Sequence, residues 1–181
     1  RFRPPPGCII TGGDGKTLLA SYVASQLQVE MISLKASDIM SKYTGDAEAR
    51  IRSVFRRARL LGSKVAIFFD DLDTLAGSRQ QDMGVEVEVK KRLITTLLNE
   101  IDGLDSDNTG ILVIGAAKEL KSVDEALTRP GRLQVHLKIR APTSADLRDV
   151  LEKTLDPYKS SLDVDSAAAG MGGMRAVDVE K

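Results

Sequence analysis

The sequence predicts an α/β fold in which a five-stranded, mostly parallel sheet lies between helices. Three observations predict it. Strand-like runs alternate with helical periodicity from Gly7 to Ile139. The internal strand runs, Val65 to Phe69 and Ile111 to Gly115, are continuously apolar, as strands covered on both faces must be. The first strand stops at glycines and leads into a helix, which opens a β-loop-α crossover unit.

Taken in order, Pro4 to Pro6 form a stiff extended entry that cannot donate to a sheet ladder. Strand one is expected over Gly7 to Thr11. The stretch Gly12-Gly13-Asp14-Gly15-Lys16-Thr17 follows it and reads as a phosphate-binding loop. Glycines let backbone N–H groups converge on an anion, the next helix offers its positive end, and a lysine reaches the terminal phosphates. Thr17 would place its hydroxyl on Mg²⁺. Leu19, Tyr22, Val23 and Leu27 recur at helical spacing and set the expected buried side of that helix, and Met31 to Leu34 reads as the second strand.

Beyond Lys42-Tyr43-Thr44-Gly45, a helix starting near Asp46 presents Ile51, Val54, Phe55, Ala58 and Leu61 on one face. Arg50, Arg52, Arg56, Arg57 and Arg59 occupy its other sides, as a solvated face or a subunit contact. The strand Val65 to Phe69 runs into Asp70-Asp71-Leu72-Asp73, and the polar stretch Gly77 to Gly84 separates it from a long helix over about Val87 to Ile101. Leu93, Ile94, Leu97, Leu98 and Ile101 share one side of that helix, and Asp102-Gly103 ends it. Strand four is expected over Ile111 to Gly115, and the alternating Val135-His136-Leu137-Lys138-Ile139 is strand five.

A boundary is placed near Pro142, giving a large α/β unit over residues 1–141 and the start of a small helical lid over 142–181. Thr143-x-x-Asp146 has the form of a capping box for a helix through Leu155 whose buried side is Leu147, Val150, Leu151 and Leu155. The chain opens on Arg1 without a methionine and stops mid-pattern at Lys181, so it reads as a fragment of a longer protein.

Composition narrows the function classes. With 181 residues and 42% hydrophobic side chains the chain can build a core, and 26 basic against 26 acidic residues leave no charge excess to hold a nucleic acid. A single cysteine, Cys8 in a core strand, excludes a disulfide framework and a thiolate zinc site, and the expected setting is a reducing intracellular compartment, the cytoplasm first, with the nucleus or an organelle surface as alternatives. The longest apolar runs fall far short of the roughly 20 residues that span a bilayer. His136, the one histidine, alternates within a strand and reads as structural.

Phosphoryl transfer needs a phosphate cradle, a metal, a positioned water and a cation for the developing charge. Asp70, at the carboxyl end of a central strand, is placed to hold the water shell of Mg²⁺ opposite Thr17, and Asp71 to orient or deprotonate the attacking water. Alone, an acidic pair after a strand is more often a turn former. Its position about fifty residues after a Gly-Lys-Thr loop reverses that preference. Asp73 reads as a helix or turn residue.

Gly12 to Thr17, Phe68-Phe69-Asp70-Asp71-Leu72-Asp73 and Ala126-Leu127-Thr128-Arg129-Pro130-Gly131-Arg132-Leu133 together resemble the classical AAA branch of the AAA+ ATPases, closest to its tandem-domain protein unfoldases. The resemblance runs from Arg3 to about Glu180, where Gly173 to Glu180 is similar to a lid helix start. It implies a P-loop NTPase fold and an ATP hydrolase, with ATP and Mg²⁺ as cofactors. Gly12, Gly13, Asp14, Gly15, Lys16, Thr17 and Leu18 would contact nucleotide, Thr17 and Asp70 the metal, and Asp70 and Asp71 would serve the chemistry. Arg129 and Arg132 match arginine fingers that act on the neighbouring subunit's nucleotide in a homo- or hetero-hexameric ring. Without this context Arg-Pro-Gly-Arg would read as a surface turn. Lys42 and Tyr43 resemble the first pore loop, whose aromatic grips a threaded polypeptide; the competing reading is a turn whose tyrosine packs locally. Adaptor proteins are further implied partners, and nucleic acid is not.

Three positions depart from the family pattern. The loop between Gly12 and Lys16 is two residues shorter, Asp71 stands where a glutamate is usual, and Glu119 stands where an asparagine helps hold the attacking water. Each points to weakened hydrolysis. A catalytically degenerate ring subunit acting as an assembly module is therefore the alternative to an active unfoldase, and a P-loop kinase or switch GTPase is weaker because neither explains Arg129 to Arg132 or Tyr43.

Overall fold

A computed structural model describes residues 7–39, 46–62, 64–75, 85–103, 110–143, 145, 146, 148 and 149. The elements are β1 (Gly7–Gly12), α1 (Lys16–Gln26), β2 (Glu30–Lys35), α2 (Ala36–Ile39), α3 (Asp46–Leu61), β3 (Val65–Asp70), α4 (Leu72–Leu75), α5 (Val85–Asp102), β4 (Ile111–Ala117), α6 (Glu125–Thr128) and β5 (Val135–Ile139), with a 3₁₀ turn over Leu120–Ser122. The five strands form one sheet in the order β2-β3-β4-β1-β5. Parallel ladders join β2 to β3, β3 to β4 and β4 to β1. The α/β class and the five-stranded sheet are those the sequence predicts.

Strand position follows from side-chain chemistry. Val65 to Phe69 of β3 are buried throughout, and β4 carries a single half-buried residue, Leu112, so these apolar runs occupy the middle of the sheet where both faces are covered. β2 and β5 hold its edges. In β5 Val135 to Lys138 are all exposed, so the alternation in its sequence does not translate into one buried and one open face. His136 lies on that exposed strand.

One face of the sheet is covered by α3 and α5. Ile51, Phe55 and Ala58 of α3 meet Leu93, Leu97 and Ile101 of α5 and Ile67 and Phe69 of β3 in a single core cluster. The rings of Phe55 and Phe69 are stacked with centroids 6.2 Å apart. Replacing Phe55 by alanine is expected to cost about 3–5 kcal/mol through lost burial and the cavity left behind. A fall in the urea unfolding midpoint without a change in slope checks it.

Two expectations need correction. In α1 the buried residues are Ala20 and Ala24; of the expected side Leu19 and Val23 are half-buried, while Tyr22 and Leu27 stand 60% and 55% exposed. Alanines at i and i+4 let the helix approach closely, and they carry little weight in a hydrophobic periodicity, so the buried side is centred on them rather than on the larger side chains. In α3, Leu61 is exposed at the last turn, and Arg59 is no solvated charge. Its guanidinium lies 6.0 Å from the Phe55 ring centroid and pairs at 2.7 Å with Glu100 of α5, joining the two helices. Arg50 donates to the Asp38 carbonyl oxygen and Arg57 pairs with Glu30.

Contacts divide the chain into two compact units, Arg1–Thr11 with Lys16–Lys138, and Gly12–Gly15 with Ile139–Lys181. Within the second unit the capping box is present in both directions. The Thr143 N–H donates to Asp146 Oδ2 at 2.8 Å, and the Asp146 N–H donates to Thr143 Oγ1 at 3.3 Å. The Thr143 backbone N–H, then its hydroxyl, then Arg140 hold the Asp146 carboxyl below its ordinary range. The other positions expected in a lid, Leu147, Val150, Leu151, Leu155 and Gly173 to Glu180, lie outside the described residues, as does Gly77 to Gly84. Among the described residues no helix is long and apolar enough to cross a membrane.

Candidate functional site

The three central strands deliver their carboxyl ends to one side of the sheet. Phe69 of β3 pairs in register with Gly115 of β4, and Ala117 of β4 pairs with Thr11 of β1. In parallel α/β sheets ligands bind in the crevice outside this edge. Asp70 is the last residue of β3, and Thr17 lies in the first turn of α1.

These two side chains meet across 53 residues of sequence. The Thr17 hydroxyl donates to Asp70 Oδ2 at 3.4 Å. The other carboxylate oxygen, Oδ1, accepts from the backbone N–H of Asp71 at 3.1 Å. A hydroxyl and a carboxylate oxygen side by side are hard donors suited to a divalent cation such as Mg²⁺, which takes one or two protein oxygens and fills the rest of its shell from phosphate and water. No group of three His, Cys, Asp or Glu side chains converges among the described residues, so no all-protein metal cage competes with that arrangement.

Asp71 is set differently. Its φ is +52°, in the left-handed region, where aspartate is tolerated better than most residues. The chain turns there because β3 must give way to α4, whose Leu72 and Leu75 are both buried, and the Asp71 carbonyl accepts the Thr74 N–H at 2.9 Å. The turn leaves Asp71 exposed beside the half-buried Asp70. Asp73, read from sequence as a helix or turn residue, lies on α4. Its Oδ2 accepts from the Lys118 N–H at 3.4 Å, beyond the end of β4, and its Oδ1 is buried with no hydrogen-bond partner among the described residues.

Past Ala117 the chain exposes Lys118 and Glu119. Glu119 is extended, with φ −135° and ψ 147°, ahead of the 3₁₀ turn, and its side chain makes no capping bond. Its carbonyl is the group employed locally, accepting the Ser122 hydroxyl at 2.6 Å.

The glycine loop belongs to the second unit. Gly12 has φ +104° and Gly15 φ +92°, conformations that side chains resist, and a Cβ at Gly12 would collide with the Ile139 carbonyl oxygen. The Gly13 N–H points to that same carbonyl at 3.5 Å. Asp14 is half-buried, as is Lys16, the first residue of α1. Leu18 is exposed on α1.

The two arginines of Arg129 to Arg132 have contrasting surroundings. Asp124 caps α6, accepting the Ala126 N–H at 2.9 Å, and Arg129 follows the helix with an extended backbone and an exposed side chain that makes no ion pair among the described residues. Arg132 is engaged on three sides. Its Nε and Nη2 donate to the two carboxylate oxygens of Asp102 at 2.7 Å each, and its Nη1 donates to the Ala126 carbonyl oxygen at 2.6 Å. Hydrogen bonding to Asp102 raises the guanidinium above its ordinary value; partial burial opposes this and the Asp102 charge adds to it. Sequence reasoning missed Asp102 in this role because it reads there as a helix terminator, and nothing in its spacing points to a residue 30 positions on. Lys42 and Tyr43 lie outside the described residues. Burial pushes the Cys8 thiol up, away from nucleophilic chemistry.

The sequence pattern of the ATPase family associated with various cellular activities (AAA) matches residues 6–141. Among curated proteins the chain is 39% identical over 161 residues to the ribosome biogenesis ATPase RIX7 of Saccharomyces cerevisiae, covering 89% of this chain and 18% of the relative. It is 35% identical to the proteasome-associated ATPase of Thermobifida fusca, covering 87% of this chain and 30% of that protein. It is also 35% identical to the cell division cycle protein 48 homolog of Archaeoglobus fulgidus, covering 99% and 24%. The chain thus spans less than a third of the length of these relatives.

Proposed function

The chain belongs to the AAA family of ATPases, and on that premise we propose that it is the ATP-hydrolysing module of a ring-forming protein remodeller that draws polypeptide through a central pore. The observation that carries this reading is the Thr17 hydroxyl at 3.4 Å from Asp70 Oδ2, with the exposed Asp71 carboxylate next in sequence. Lys16 engages the terminal phosphates, and Thr17 and Asp70 hold Mg²⁺. The bound ion neutralises charge on the β- and γ-phosphate oxygens. Asp71 orients the attacking water, and Arg129 reaches into a neighbour's site. Lys42 and Tyr43 contact the substrate polypeptide, and the domain division near Pro142 separates the catalytic unit from a lid. The relatives' names, a proteasome-associated ATPase and a ribosome biogenesis ATPase, support action on protein assemblies; in this reading the ring is of identical or mixed subunits, inside the cell, with adaptors supplied by other chains.

A second reading has an observation of its own. The Gly13 N–H is directed at the Ile139 carbonyl within the chain, and the loop before Lys16 is short, so fewer N–H groups remain to encircle a phosphate. Glu119 adds a carboxylate where negative charge would oppose phosphate. On this reading the chain is a ring subunit of low or no turnover that serves its neighbours through Arg129.

Mg-ATP turnover of the full-length parent, alone and with ring partners, separates the two. An active site implies that Lys16→Ala lowers turnover by roughly a hundredfold. An unchanged rate in that variant removes any catalytic role for this site and leaves the assembly module.

A further inference from the structure

Two arginines three residues apart present different chemistry, and that difference assigns them different tasks. Arg129 is exposed with no ion pair among the described residues. Arg132 has its fork closed on Asp102 at 2.7 Å twice and on the Ala126 carbonyl at 2.6 Å, and its side chain is only 21% exposed. We propose that Arg132 is a positioning residue that clamps the Arg129 loop to the end of α5, and that Arg129 alone reaches the neighbouring subunit's phosphate. This inference rests on the ATPase reading above.

The geometry supports it from three directions. A guanidinium bound bidentately to a carboxylate has its planar fork fixed, and the third bond brings to three the number of its five N–H donors engaged within the chain. The elements it joins are those that set the Arg129 loop: α5 through Asp102, and α6, whose carboxyl end Arg129 caps, through Ala126. The backbone of Arg132 completes the loop, donating its N–H to the Arg129 carbonyl oxygen at 3.1 Å, while the Leu133 N–H returns to Leu127. Removing the Arg132 side chain would free the turn that carries Arg129 and strand Asp102. Its loss would therefore look like the loss of a finger in an activity assay, although it acts through Arg129.

A charge exchange tells the two roles apart. In the full-length protein, Asp102→Arg and Arg132→Asp are each expected to lower Mg-ATP turnover at least tenfold and to lower the urea unfolding midpoint. The double variant restores the pair in reverse, and both quantities recover most of the loss, with turnover within about threefold of the parent. If Arg132 acts on the neighbour's nucleotide, the double variant recovers its midpoint but stays as inactive as Arg132→Asp, and the proposal falls. Should the single variants fail to fold, Asp102→Asn and Arg132→Lys give milder versions; a midpoint loss that simply adds in their double variant overturns the clamp. A parent that turns over no ATP defeats the ATPase reading, while coupling between positions 102 and 132 in the unfolding midpoint still decides the clamp.

Discussion

Replacing Arg129 by alanine is expected to lower Mg-ATP turnover of the assembled full-length protein by about a thousandfold or more, with nucleotide affinity nearly unchanged. The guanidinium is exposed and makes no ion pair among the described residues, so truncation costs the fold little. Its effect falls on the transition state, where charge spreads over the transferred phosphoryl oxygens and a preorganised cation is most valuable. The assignment in trans has a sharper signature. Subunits carrying Arg129→Ala keep an intact Lys16, and subunits carrying Lys16→Ala keep an intact Arg129. Mixed in one ring they restore turnover at each junction where the two meet correctly, although neither is active alone. An Arg129 acting within its own subunit gives no such recovery, and measuring the rate against mixing ratio decides it.

The parts of this molecule that were legible in the sequence are those set by local chemistry. Continuous apolar runs announced β3 and β4, and the capping box at Thr143 and Asp146 was readable because it lies within one helical turn. The Asp70–Thr17 meeting was also foreseeable, because a strand end and the helix after a glycine loop must share the same edge of a parallel sheet. What escaped depends on tertiary placement. The buried face of α1 is shifted from the expected one because two alanines, weak in any periodicity, are its most buried residues. Arg59 reads from sequence as a solvated charge or subunit contact and Arg132 as an arginine finger, yet one spans two helices over an aromatic ring and the other closes on a helix end 30 residues earlier. Partner choice among charged side chains is fixed by where elements come to rest, and a sequence holds no local record of it.

Asp71 is the residue whose exchange is expected to move turnover in both directions. Asp71→Asn removes the carboxylate that takes or orients the proton of the attacking water and lowers turnover by about 10²–10⁴-fold. Asp71→Glu lengthens the reach by one methylene, and a water misplaced by about an ångström costs on the order of a hundredfold, so turnover rises, by tenfold or more if reach is what limits it. The backbone sets a counterweight. At φ +52° a short polar side chain is tolerated better than a longer one, so the glutamate variant gains rate and loses some stability. Asp71→Gly supplies the control: it relieves the left-handed strain, raises the unfolding midpoint and loses turnover along with the asparagine variant. Opposite movements of rate and midpoint across these three variants would mean that the aspartate is kept where the turn into α4 tolerates it, at the expense of catalytic reach. Turnover unaffected by Asp71→Asn would instead make the acidic pair a turn former with a single functional member, Asp70.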